Sequence, residues 1–99
     1  MLYRHGDVLL DEVPEVPASA RPRDGVVLAY GEMTGHSHRV EPREAAELYQ
    51  HDTSLYLRVT GQPATLLHEE HGPIELRPGV YRVWRQREYT PREIRVVVD

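Results

Sequence analysis

The stretch Leu55-Tyr56-Leu57-Arg58-Val59-Thr60-Gly61-Gln62-Pro63-Ala64-Thr65-Leu66-Leu67-His68 decides the fold. Leu55, Leu57 and Val59 alternate with Tyr56, Arg58 and Thr60, so an extended chain puts the apolar side chains on one face and the polar ones on the other. Gly61-Gln62-Pro63 turns the chain, and Ala64 to His68 reads as the next strand. The same pattern runs outward in both directions. Leu2 to Leu10 reads as a first strand ending near Glu12, and Val26 to Tyr30 follows the turn signal Asp24-Gly25. His36 to Val40, Glu47 to His51 and Ile74 to Leu76 are further short strands, Val80 to Tyr89 is the longest, and Ile94 to Val98 closes the chain. Pro14, Pro17 and Pro22 forbid a central strand and make that segment a surface loop. Pro42 to Leu48 has room for one short helical turn. Eight or nine short strands between Gly/Pro turns predict an all-β chain, one small domain over residues 1–99, built as a barrel or a sandwich. Val26, Leu28, Leu57, Val59 and Leu66 are expected to line the core together with Trp84.

Composition excludes several functions. The 99 residues contain no cysteine, so no disulfide scaffold, thiolate zinc site or cysteine nucleophile is available. All twelve basic residues are arginine, which removes lysine Schiff-base chemistry and a Walker-type phosphate loop. No apolar run approaches a membrane span or a signal peptide, so no membrane partner is expected and the expected address is the cytoplasm. The net charge of −4 argues against a coat for nucleic acid. It is uneven: residues 1–76 hold six arginines against thirteen acids, and residues 77–99 six against three. A basic end on an acidic body hints at a local anionic partner.

Four of the six histidines fall into two tight pairs. His36 and His38 lie at i and i+2, on one face of a strand, a natural bite for one metal ion. His68 and His71 flank Glu69-Glu70 just before Gly72-Pro73, where a strand end entering a turn can bring both rings round. Neutral imidazole is a common ligand of zinc, iron and nickel, and carboxylates can complete such a shell. The reading is a divalent metal ion, whether zinc, iron, nickel or manganese, held by His36, His38, His68 and His71, with Glu69 or Glu70 as catalytic proton acceptor. A metal-free acid/base or anion site, and histidines without a role, stand beside it. His5 and His51 receive no site role.

Gly31-Glu32-Met33-Thr34-Gly35-His36-Ser37-His38, followed by Glu41 or Glu44, resembles the first motif of the cupins, and Leu76-Arg77-Pro78-Gly79-Val80-Tyr81 resembles the turn of their second motif. The resemblance covers about 20 residues and implies a small β-barrel that binds a divalent metal through His36, His38 and Glu41. The glycine spacing is one short, and Tyr81-Arg82 stands where a histidine follows the second cupin turn. The chain also resembles small bacterial and phage proteins, a likeness that implies no activity.

Val80 to Tyr89 interleaves arginine with aromatic residues, and Arg85, Arg87 and Tyr89 share a face suited to an anion. Two functions follow. One is a small metal-binding β-barrel, with an enzyme acting on a small anionic or nucleotide-like substrate left open. The other is a non-enzymatic binding module or assembly subunit that uses residues 80–89 to hold a short nucleic acid or another anionic partner. The long apolar last strand also permits a homodimer by strand exchange.

Overall fold

Strand alternation becomes two antiparallel sheets in the computed structural model, which describes residues 2–30 and 35–86. The expected strand Ile94–Val98 lies outside the described residues, as do Arg87 and Tyr89 and the Gly31–Thr34 part of the cupin-like motif. The first sheet has the order β1-β2-β10-β7-β6-β3, from Leu2–His5, Val8–Val13, Gly79–Arg85, Ser54–Val59, Ala46–His51 and Arg21–Arg23. The second has the order β4-β5-β8-β9, from Val27–Tyr30, Ser37–Glu41, Thr65–Leu67 and Ile74–Glu75. The architecture is a sandwich, and no closed barrel forms among the described residues. No helix there is long and apolar enough to cross a membrane.

Three expectations need correction. The segment Leu2–Leu10 is not one strand: Gly6, at φ 65°, opens a two-residue turn that folds β1 onto β2 with His5 paired to Val8. A left-handed first turn position followed by Asp7 suits a tight hairpin and favours glycine. Pro22 does enter a strand, the short β3, but only at the sheet edge, where a missing amide costs no ladder bond. The third concerns Trp84. On β10 the core face is Tyr81 and Val83, buried to 1% and 7% exposure, while Trp84 is half-buried on the opposite face beneath the Arg82 guanidinium, 4.1 Å from its ring. The expected helical turn is a single 3-10 turn, Arg43–Ala45, and β6 begins at the next residue.

One apolar core fills the space between the sheets. Val8, Leu10, Leu48, Leu55, Leu57, Val59, Tyr81 and Val83 come from the first sheet, and Leu28, Val40 and Leu66 from the second. Burying each such side chain contributes roughly 1.5–3 kcal/mol. The Tyr81 hydroxyl donates to the Arg77 carbonyl at 2.6 Å, which keeps its one polar atom paired inside the core.

Candidate metal centre

Val40 and Leu66 are cross-strand partners on β5 and β8, both fully buried. One alternation further along each chain stand His38 and His68, on the same inward face. Their ring centroids are 4.3 Å apart, and both are buried. His36, two residues before His38, reaches His68 at 5.4 Å and keeps 26% of its side chain exposed, so it marks the rim. Beyond His68 the chain turns through Glu69 and Glu70 and returns His71, 4.6 Å from His68 and 5.8 Å from His38. All four expected histidines therefore meet.

A fifth joins them from the opposite sheet. His5, 2% exposed at the end of β1, lies 5.0 Å from His38, 5.6 Å from His71 and 6.2 Å from His68. Gly6 makes this possible twice over. Its positive φ closes the hairpin, and a Cβ there would stand 2.5 Å from Nε2 of His71. The surface hollow lined by Gln62, Pro63, Glu75, Leu76 and Arg77 lies elsewhere.

Hydrogen bonds identify which nitrogens carry lone pairs. His5 Nε2 lies 2.9 Å from the Gly72 carbonyl, an acceptor only, so it donates and Nδ1 is bare in neutral His5. Burial pushes His5 below its ordinary pKa, opposed in part by that same bond, and the neighbouring rings add to the lowering. The bare Nδ1 faces Nδ1 of His38 at 3.0 Å. Two nitrogens at this distance need one hydrogen between them or one cation that both bind. His71 Nε2 is buried with no hydrogen-bond partner among the described residues. His68 is different: the Glu70 amide donates to its Nδ1 at 3.0 Å, so neutral His68 keeps its ring hydrogen on Nε2 while that bond holds.

A buried carboxylate stands behind His38. Asp7, 6% exposed, places Oδ1 3.7 Å from His38 Nε2, and its Oδ2 accepts from Arg85 Nε at 2.8 Å and lies 2.7 Å from Nη2 as an ion pair. Burial alone raises the Asp7 carboxyl. The nearby His38 ring and the hydrogen-bonded Arg85 guanidinium outweigh it and bring the pKa down to about 2.

The remaining expected residues divide. Glu69 is at the rim: with His36 and His68 it offers ligand atoms all within 4.8 Å of one another. Its Oε1 accepts from the Ser37 amide and its Oε2 from Arg39, both at 3.0 Å, and these bonds lower its pKa and make it a weaker base. That environment suits a ligand better than a proton acceptor. Glu70 is exposed, 3.8 Å from His36 Nδ1. Glu41, which the cupin resemblance implies as a ligand, points to Arg39 at 3.8 Å instead. Arg85, expected to bind an anion, turns inward to Asp7 and to the Tyr30 carbonyl. His51 lies apart, hydrogen-bonded to Ser19. His5, Asp7 and Gly6 were missed by sequence reasoning; the Gly6-Asp7 turn was the signal that could have placed His5 inward.

Residues 4–86 match a family model described as a domain of unknown function, DUF8820. No curated protein and no solved structure matches the chain.

Proposed function

The chain belongs to the DUF8820 family, whose description assigns no activity, and from the geometry we propose that it binds a divalent first-row metal ion in the histidine cluster. His5 and His38 are its innermost ligands through their Nδ1 atoms. Toward the rim, His36, His68 and Glu69 bring donor atoms within 4.8 Å of one another, with His71 beside them, and His68 joins once its Nδ1 exchanges the Glu70 amide for the ion. The observation that carries this reading is the pair of Nδ1 atoms facing each other at 3.0 Å inside a ring of five imidazoles. Zinc ligands about 2.0–2.1 Å from the ion stand roughly 3.4 Å apart in a tetrahedron, and six-coordinate neighbours closer. A nitrogen-rich set favours zinc, nickel or iron over manganese. The likeness of Gly35-His36-Ser37-His38 to the cupin motif agrees. Such a metal would supply Lewis acidity toward a small anionic or nucleotide-like substrate at the rim, beside Glu70.

The test is metal analysis of untagged protein, followed by thermal melting with added zinc, nickel, iron or manganese. One ion per chain and a rise in melting temperature are expected, both lost in a protein carrying His5→Ala with His38→Ala. An unchanged melt in excess of every metal would sink the reading.

A second reading rests on the outer face of the six-stranded sheet. Arg82 lies over Trp84, Arg58 lies over Tyr49 at 5.0 Å, and Tyr56 is the cross-strand partner of both Arg82 and Tyr49. Aromatic and guanidinium groups on one sheet face suit a short single-stranded nucleic acid. Quenching of the only tryptophan on titration with an oligonucleotide checks it; flat fluorescence rejects it.

A further inference from the structure

We infer that Asp7, held by Arg85, is the positioning carboxylate of the cluster: it sets which nitrogen of His38 carries the ring hydrogen and thereby aims the Nδ1 lone pair at the metal position. The inference rests on the metal-binding reading above.

The argument runs from donor and acceptor roles. Arg85 only donates, and both of its contacts with Asp7 go to Oδ2. Oδ1 is left facing His38 Nε2 at 3.7 Å. An ionised carboxylate only accepts, so at this range it favours hydrogen on the ring nitrogen toward it. With Nε2 protonated, the lone pair of neutral His38 lies on Nδ1, opposite the bare Nδ1 of His5. The Gly72 carbonyl acts on His5 as Asp7 acts on His38: each outer acceptor turns one lone pair inward. Histidine ligands commonly have such an outer partner, and its loss typically weakens metal binding by about 10–100-fold. The placement of Asp7 is local and strong. It follows His5 by two residues in the hairpin, and its own carbonyl accepts the Gln86 amide at 2.7 Å, which ties the turn to the end of β10 beside Arg85.

Asp7→Asn should reverse the polarity of the ring. Arg85 demands an oxygen on its side, so the amide nitrogen faces His38 and donates to Nε2. The hydrogen of His38 then moves to Nδ1, where it points at His5 Nδ1 and closes the metal position. Asp7→Glu, which keeps the acceptor, is expected to restore part of the affinity.

Nitrogen-15 spectra of the histidine rings test this directly. In the unsubstituted protein with zinc bound, His38 Nε2 should carry hydrogen; in Asp7→Asn under the same conditions it should be bare and Nδ1 protonated. Zinc affinity should fall at least about tenfold in Asp7→Asn. A bare Nε2 in the zinc-bound unsubstituted protein overturns the inference, and so does an unchanged affinity in a folded Asp7→Asn protein. A purely structural role for Asp7 would lower the melting temperature without moving the ring hydrogen. If Asp7→Asn does not fold, the spectra of the unsubstituted protein still decide. If that protein binds no zinc, the metal reading fails and takes this inference with it; if it binds zinc with Nε2 bare, only this inference falls.

Discussion

Val40 and His38 stand two residues apart on one strand, face the same way and are both fully buried, yet one is packed by hydrocarbon and the other by imidazoles. Leu66 and His68 repeat the contrast on the neighbouring strand. The backbone is the same sandwich throughout, so the difference is one of side-chain chemistry alone. Around Val40 and Leu66, burial itself stabilises. Around His38 and His68, burial costs free energy unless each nitrogen finds a partner. The apolar half holds the fold together, and in the proposed reading a bound ion completes the imidazole half.

The largest effect should separate the halves by packing. Leu66→Ala leaves a cavity in a closed core and should cost about 2–5 kcal/mol in urea denaturation. His68→Ala in metal-free protein should cost no more than about 1 kcal/mol, near the worth of the bond from the Glu70 amide. Equal costs would mean that the cluster is ordinary core.

Metal should then act on one half only. At a free concentration 100 times Kd, a single bound ion stabilises by about 2.7 kcal/mol. Leu66→Ala protein should gain the same increment as the unsubstituted protein, because its ligands are intact. His5→Ala protein should gain little. A Leu66→Ala protein that no longer responds to metal would show that the halves are coupled and that the contrast is false.

The two halves should also fail at opposite ends of the pH scale. The Asp7 carboxyl titrates in the folded protein at about 2 against the usual 3.8. A depressed carboxyl stabilises the folded state at pH above about 4, and that contribution, roughly 2 kcal/mol, is lost as pH falls toward 2. Tyr81 shifts the other way: burial, with Tyr3 and Glu12 nearby, raises its phenol to about 12 from the usual 10.0. A raised phenol stabilises the folded state below pH 10, and this is lost as pH rises toward 12. Denaturation midpoints measured across pH check both arms. Asp7→Asn should flatten only the acid arm and Tyr81→Phe only the alkaline one.

What the sequence revealed follows this same division. Alternation at Leu55–Thr60 and Leu66 reported the apolar face directly, because period two survives in any pairing. The i, i+2 spacing of His36 and His38 survived for the same reason, and the 68–71 turn closed as expected. His5 did not, since its face depends on a hairpin hidden inside an unbroken run from Leu2 to Leu10. Once Gly6 and Asp7 are read as a two-residue turn, His5 pairs with Val8 and joins the inward face. Asp7 was illegible from sequence because its partners, His38 and Arg85, are distant in the chain and meet only when the sheets stack.

The smallest effect concerns the strand that was read with the wrong face inward. Val80 and Trp84 alternate with Tyr81 and Val83, so both faces of β10 carry apolar groups, and size alone favoured Trp84 as the core residue. Packing chose otherwise: β10 lies between β2 and β7, whose inward residues Leu10 and Leu57 are the cross-strand partners of Val83 and Tyr81. Trp84 is left beside Leu9 and under Arg82, half-exposed. Trp84→Ala should therefore cost about 1 kcal/mol, the scale of a surface cation–π contact with some lost packing, against roughly 3–5 kcal/mol for a tryptophan truncated in a core. The metal-induced rise in melting temperature should be the same in Trp84→Ala as in the unsubstituted protein. A loss of 3 kcal/mol or more in urea would put Trp84 back among the core residues. It would also remove the outer-face reading, which needs an indole that a base can reach.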